Sequence, residues 1–291
     1  MVENVFITAV NIKDWSRSKT LKPNDKIIAI LCFTRFFLGC SFFLEPIGIW
    51  MAQIPLSDYT SRCFFYFSQL FIDFFSRWLS MWLSFLYFIK ITIFKNPIIL
   101  NLQSLVPRMT GYVVILSLIV AFIPGMIYSF SRQEGFCISN TAINTTVEPV
   151  PQFFVIAFFF GHCLPSTLET ISSIYLFRTL FTHVKNTKTN VSSYSSPNMA
   201  AHWSVIRYIL LLNFTSMCNF LGNSLLWFSI DNPYGGFMGY ILAFTYPTLH
   251  SFIIILCNSK LKNEMVNVLD YTKKWFSINK HSDNTLETVT Q

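Results

Sequence analysis

Arg35, Glu45, Asp73, Arg77, His162 and Glu169 all fall within long apolar runs, where ionisable groups are costly. A charge near the middle of a membrane costs at least ~2.5 kcal/mol, so each needs a partner or a watery cavity. Groups of this kind recognise ligands, move protons or hold helices together, and their spacing helps to decide which. Asp73 and Arg77 are four residues apart and can pair along one helix face. Alternatively, Asp73 faces a cavity and attracts cationic or hydrogen-bonding ligands. Arg35 stands nine residues beyond Lys26, about 13 Å along a helix. It is read as a buried hub that joins Asn4 to His250 and Ser251. His162 is read as a satisfied core histidine in preference to a ligand contact.

Catalysis finds no support in these spacings. No HExxH, GxSxG or Walker loop is present. Intramembrane proteolysis by two aspartates needs a second one in a membrane helix, and Asp73 stands alone there. His250 and Ser251 are adjacent, so on a helix they point about 100° apart. No enzyme activity, cofactor or metal is expected. A transporter of the repeat type would show self-similar halves with matching broken helices, and a channel would show a polar pore stripe or a filter loop. None of these is visible in the sequence.

The elements that must position these residues are membrane helices. Of 291 residues, 53% are hydrophobic and 12% charged, whereas soluble domains are about 25% charged. Mean hydropathy is +0.47. Apolar runs long enough to span lie at roughly 27–50, 64–89, 110–130, 153–177, 205–229 and 237–257. Residues 1–12 are apolar but shorter than the ~20 needed, so they read as a partial first helix. Pro124, Pro165 and Pro247 lie inside spans, each an expected kink. The fold class expected is therefore an all-α membrane protein, a seven-transmembrane helix bundle whose first helix is truncated at its outer end. Residues 1–262 form the bundle, and 263–291 form a cytoplasmic tail, disordered beyond a short amphipathic helix that starts near Leu261.

Orientation follows from loop charge. Lys13, Arg17, Lys19, Lys22 and Lys26 precede the second helix, Lys90, Lys95 and Arg108 follow the third, and Arg178, Lys185, Lys188 and Arg207 follow the fifth. The opposite loops are poor in base, which puts the N-terminus outside and the C-terminus in the cytoplasm. The net charge is +7, but its distribution matters more than its sum, and the expected partner is membrane lipid, not nucleic acid. Asn144-Thr145-Thr146 is a glycosylation sequon on the predicted outer side. Cys63 and Cys137 also lie at the outer edge, either as a disulfide between the third helix and this loop or as two free thiols.

Several motifs in collinear order carry a resemblance. They are Asn4-Val-Phe6-Ile7 with Val10-Asn11 and Asp14-Trp15, then Asp25 and Thr34-Arg35. Trp78-Leu79, Leu83-Ser84 and Tyr87-Phe88-Ile89-Lys90 follow, with Phe94 and Pro97 continuing them. Next come Leu164-Pro165 with Leu180 and His183, then Ala201-His202 with Arg207. Last is Pro247 with His250-Ser251-Phe252-Ile253-Ile254-Ile255 and Asn258-Ser259-Lys260-Leu261-Lys262. Nearly the whole chain resembles the bitter taste receptors (type 2 taste receptors), seven-helix G-protein-coupled receptors.

The resemblance implies a plasma-membrane receptor for bitter small molecules that activates a heterotrimeric G protein of the gustducin/inhibitory type, with no cofactor. It places ligand contacts in the outer half of the bundle, at Gln69, Asp73 and Tyr240. Gln69 and Asp73 replace the family's frequent Trp and Asn, and an acid in place of the amide should favour amines. Coupling to the G protein would use Tyr87, Lys90, His183, Lys185 and His202, while Lys185 also reads as a lipid anchor. Family members carry roughly 20 more residues before the Asn4 position; a mis-assigned start, a partial gene copy or a short first helix would account for the difference, the first being the leading expectation. The type 1 vomeronasal receptors are a more distant likeness. The Asp-Trp pair and the NSKLK end favour taste. From other classes, a transporter or a membrane scaffold remains a reading.

Overall fold

With no water to satisfy it, a backbone in hydrocarbon must bond within its own segment, so long Phe-, Leu- and Ile-rich runs fold as helices. The computed structural model describes residues 1–50, 59–91, 97–139, 152–190, 197–228 and 233–289, and every element among them is helical. These are α1 (Val2–Ser18), α2 (Pro23–Trp50), α3 (Tyr59–Ile91), α4 (Pro97–Ser139) and α5 (Gln152–Phe158). A π-helical turn (Phe159–Cys163) joins α5 to α6 (Leu164–Asn190), followed by α7 (Pro197–Phe228), α8 (Pro233–Cys257) and α9 (Ser259–Val289). Pro23, Pro97, Pro197 and Pro233 each open a helix, where a missing N–H costs nothing and a fixed φ helps.

Counting α5, the π turn and α6 as one rod, α1 to α8 make seven rods. Their neighbours close a ring: α1 packs on α2 and α8, α2 on α3, α3 on α4 and α6, α6 on α7, and α7 on α8. Among the described residues, five rods contain a stretch long and apolar enough to cross a membrane, namely α2, α4, α5–α6, α7 and α8. The helix α3 carries Asp73 and Arg77, and it packs against α2, α4 and α6. The interior combines an apolar core with the chain's buried charged and polar side chains, and the periphery is apolar. Arg35, Arg77, His162, Glu169 and His250 are buried, whereas Phe33, Tyr112, Ile119, Phe159, Phe214 and Leu221 are exposed around the periphery. Lipid solvates that periphery, and only the interior offers partners to charge.

Three expectations are corrected by this structure. The basic stretch after residue 12, expected as loop, continues α1 to Ser18. Lys19 then adopts a left-handed conformation (φ 57°) and its N–H bonds the Trp15 carbonyl, closing the helix. The tail, expected to be mostly disordered, is helical in α9 as far as Val289. Asn258 caps it, its side-chain oxygen accepting the Lys260 N–H at 3.1 Å. Arg108, expected in a loop, lies within α4. Of the expected proline sites, Pro247 lies inside α8, and Pro165 stands just past Leu164 and the π turn, whose Phe160 carbonyl accepts from Trp78 Nε1 at 3.2 Å.

Candidate functional site

Arg35 enters the interior from α2 and reaches two other rods. Its Nε donates to Ser76 Oγ at 3.2 Å, and its Nη2 donates to Ser80 Oγ and Tyr246 OH, both at 2.8 Å. Its Nη1 meets His250 Nδ1 at 2.7 Å. A guanidinium only donates, so Nδ1 accepts and His250 is the neutral tautomer with its proton on Nε2. Beside it, Ser251 Oγ donates to Asn4 Oδ1 at 2.7 Å. Arg35 thus binds α2, α3 and α8 together, and Ser251 separately ties α8 to α1. Asn4 belongs to the cluster through Ser251, not through Arg35.

Arg77 does not pair with Asp73, the expected partner one turn away. It turns across the bundle, Nη2 donating to Asn219 Oδ1 on α7 and Nη1 to Ser166 Oγ on α6 at 3.4 Å. Asn219 also accepts from Asn223 Nδ2. Next to this cluster, Ser216 Oγ donates to Glu169 Oε2 at 2.8 Å. Both guanidinium groups lie over the Tyr246 ring, that of Arg35 at 4.8 Å and that of Arg77 at 5.3 Å. Cation–π attraction to both makes Tyr246 the junction of the interior. No backbone contact joins α3 and α8 among the described residues, so these long side chains bridge them.

Sequence reasoning missed Tyr246, Ser76, Ser80, Ser166, Asn219 and Ser216. A signal existed for three of them. Tyr246 precedes His250 by one turn, and Ser76 and Ser80 share a helix face one turn apart.

Toward the other end of this network, Asp73 keeps 15% of its side-chain surface exposed, and its Oδ2 lies 3.7 Å from His162 Nε2. Gln69, one turn before it on α3, is half-buried, and Tyr240 on α8 is exposed. His162 is fully buried in the π turn, its ring set edge-on to Phe74 at 5.0 Å and Trp227 at 5.7 Å. Neither of its ring nitrogens has a hydrogen-bond partner, which corrects its reading as a satisfied core histidine. Gly161 makes this arrangement fit. A Cβ there would stand 2.3 Å from Cε1 of Phe74, itself fully buried against Trp227. Gly161→Ala is therefore expected to displace Phe74 and to cost about 1–3 kcal/mol, seen as a lower melting temperature of detergent-solubilised protein.

At the basic end, a cavity of about 380 Å³ opens between α3, α6, α7 and α8. Tyr87, Leu176, Tyr208, Leu212, Ile254 and Cys257 line it, with Lys22, Asp25 and Lys260 at its rim. Lys260 holds that rim in place by pairing with Asp14, approaching Asp25 at 3.9 Å and donating to Asn11 Oδ1 at 3.3 Å. Tyr87 is the G-protein-contact candidate that lines the cavity, and Lys185 is exposed. Gln69, Asp73 and Tyr240 do not line it. The side chains of Glu45, Cys63, Lys90, Cys137, His183 and His202, and the whole of Asn144, lie outside the described residues.

Comparison with known proteins finds that the family profile described as Taste receptor protein (TAS2R) matches residues 1–273. Taste receptor type 2 member 39 of Macaca mulatta is 27% identical, over 94% of this chain and 85% of its own length. Taste receptor type 2 member 125 of Rattus norvegicus is 27% identical, over 92% and 88%. Taste receptor type 2 member 4 of Gorilla gorilla gorilla is 26% identical, over 94% and 93%.

Proposed function

The chain belongs to the taste receptor (TAS2R) family, a family of seven-helix membrane receptors, and from that premise we propose how it reads and transmits a bitter stimulus. Bitter small molecules enter the outer half of the bundle, near Gln69, Asp73 and Tyr240. The signal leaves through the basic end to a heterotrimeric G protein of the gustducin/inhibitory type. In this reading the receptor sits in the plasma membrane, its N-terminus outside and its basic end in the cytoplasm.

The observation that carries the ligand reading is the incomplete burial of Asp73 among helices whose other interior charges are buried. A carboxylate with no direct arginine partner, in a site of low dielectric, attracts an ammonium or a hydroxyl donor far more strongly than it would in water. Asp73 lies one turn from Arg77, whose bonds to Asn219 and Ser166 and whose contact with the Tyr246 ring reach α7, α6 and α8. A ligand that displaces α3 acts on three helices at once. Those same helices wall the cavity at the basic end, and its widening would admit a helix of the G protein.

Calcium imaging of cells that co-express the receptor with a chimeric G protein, against a panel of bitter compounds, tests the reading. A response to at least one compound is expected. Silence toward all of them from receptor verified at the cell surface counts against it. Within that panel, Asp73→Asn should raise the half-maximal concentration of protonated amines about tenfold, equivalent to ~1.4 kcal/mol, and leave uncharged agonists nearly unchanged. An unaltered profile for every agonist would remove Asp73 from the ligand site.

A further inference from the structure

Buried polar atoms in native proteins nearly always have hydrogen-bond partners, so those without one call for a reason. Among the described residues these atoms are Arg77 Nε, Trp82 Nε1 and both ring nitrogens of His162. The two on His162 are singular because the fold takes unusual measures to put the ring where it is. The rod departs from α-helical geometry over Phe159–Cys163, and a π turn of this kind often marks a functional site. Gly161 is stripped of a side chain so that Phe74 can close over the ring. Phe158 and Trp227 complete an aromatic box at 5.2 and 5.7 Å. Hydrophobic packing alone would place a phenylalanine in such a box.

The nearest acid supplies the reason. Nε2 lies 3.7 Å from Asp73 Oδ2, too long for a hydrogen bond and short enough that a small approach of α3 to the π turn makes one. We propose that His162 is a positioning residue for ligand recognition. In the agonist-bound receptor its Nε2–H donates to Asp73 Oδ2, fixing the carboxylate so that Oδ1 faces the agonist's N–H or O–H. In this geometry the protonated tautomer at Nε2 serves as donor and Nδ1 stays within the aromatic box. An agonist that makes the bond to Oδ1 thereby draws α3 and the α5–α6 rod together. The inference rests on Asp73 as the acid of the ligand site, and it assigns to the same site a second residue and a selectivity for hydrogen-bond donors.

Three variants and two agonist classes test it. Quinine and chloroquine serve as protonated amines and salicin as an uncharged glucoside, with surface expression measured for each receptor. His162→Phe fills the box without a donor. It should raise the half-maximal concentration of the amines about tenfold, while salicin shifts less than twofold. His162→Gln, whose amide nitrogen reaches the place of Nε2, should restore most of the amine response. His162→Asn, whose amide reaches only the place of Nδ1, should not. In an Asp73→Asn background, His162→Phe should add little, because the group that it positions is gone.

Equal shifts for quinine and salicin, failure of the Gln variant to outperform the Asn variant at matched expression, or a full additional loss in the Asp73→Asn background would each overturn the proposal. If Asp73→Asn weakens the amines while His162→Phe does not, this inference alone fails. If Asp73→Asn changes nothing, or wild-type receptor is silent to the panel, the ligand reading itself fails and this inference falls with it.

Discussion

Arg35→Met is expected to remove the receptor from the cell surface. Methionine matches much of the volume and is apolar, so the defect isolates lost polar contacts. Four donated bonds disappear, to Ser76, Ser80, Tyr246 and His250. The serines can turn back to carbonyls of their own helix, a common refuge for hydroxyls in membrane helices. His250 Nδ1 has no such recourse, and Tyr246 loses both a donor and a cation against its ring. Replacing a buried ion by an apolar group is sometimes neutral, but that holds when its counter-charge goes too. Among the described residues the interior holds two arginines and two acids, Asp73 and Glu169, so removing Arg35 leaves acid in excess. Leaving a buried charge uncompensated costs about 3–5 kcal/mol, a large part of a typical ~5–15 kcal/mol stability. Flow cytometry of an extracellular tag reads the result. Arg35→Lys should rescue only partly, since one ammonium cannot reach the four sites of a planar fork. Wild-type surface levels of Arg35→Met would show that the helices hold without the hub.

The stretch from His250 to Lys262 shows what the sequence made legible. Its residue types announced a membrane helix that ends in a basic anchor, and the structure gives four of its polar members separate tasks. His250 accepts from Arg35, Ser251 donates to Asn4, Asn258 caps α9, and Lys260 pairs with Asp14, while Leu261 is buried beneath them. Identity at these positions was visible because such residues are too costly in a membrane without a role. Their partners were less visible. Asp73 and Arg77 have the right spacing for an ion pair, but spacing only permits a contact, and Asn219 on α7 competes for the same guanidinium. Ser76, Ser80 and Tyr246 are neutral and common in membrane helices, so nothing local distinguishes them until the fold brings Arg35 among them. The vacancy around His162 depends on a π turn and on the ring of Phe74, and neither follows from periodicity. The length of α9 escaped because its mixed charge reads as disorder when Lys13 and Asp14 of α1 are not yet in place to meet Glu264 and Lys260.

Gly222→Ala is expected to have the second large effect, through the backbone. A Cβ at Gly222 would lie 2.8 Å from Ala243 N and 3.0 Å from the Gly239 carbonyl oxygen. A Cβ at Gly239 would lie 2.9 Å from the Gly222 carbonyl oxygen and 3.0 Å from Leu226 N. The two helices therefore touch main chain to main chain, as small residues allow in membranes, where close packing replaces the hydrophobic drive. A side chain can rotate away from a collision, but a helix backbone has to move as a body. What moves here is α8, which carries Tyr246, His250 and Ser251. A separation of a few tenths of an ångström would lengthen the bonds to Arg35 and Asn4, adding their loss to an overpacking cost of about 1–3 kcal/mol. Gly111→Ala and Gly236→Ala serve as controls, since neither Cβ would meet anything within 4 Å. Both should be neutral or slightly stabilising, because alanine favours the helix by ~0.5–1 kcal/mol over glycine. Thermal melts of detergent-solubilised receptor should order Gly222→Ala well below the two controls. The double variant Gly222→Ala/Gly239→Ala should lose less than the sum of its parts, since the first methyl already opens the space that the second needs. Strict additivity, or melts for Gly222→Ala level with Gly111→Ala, would mean that α7 and α8 do not meet through their backbones.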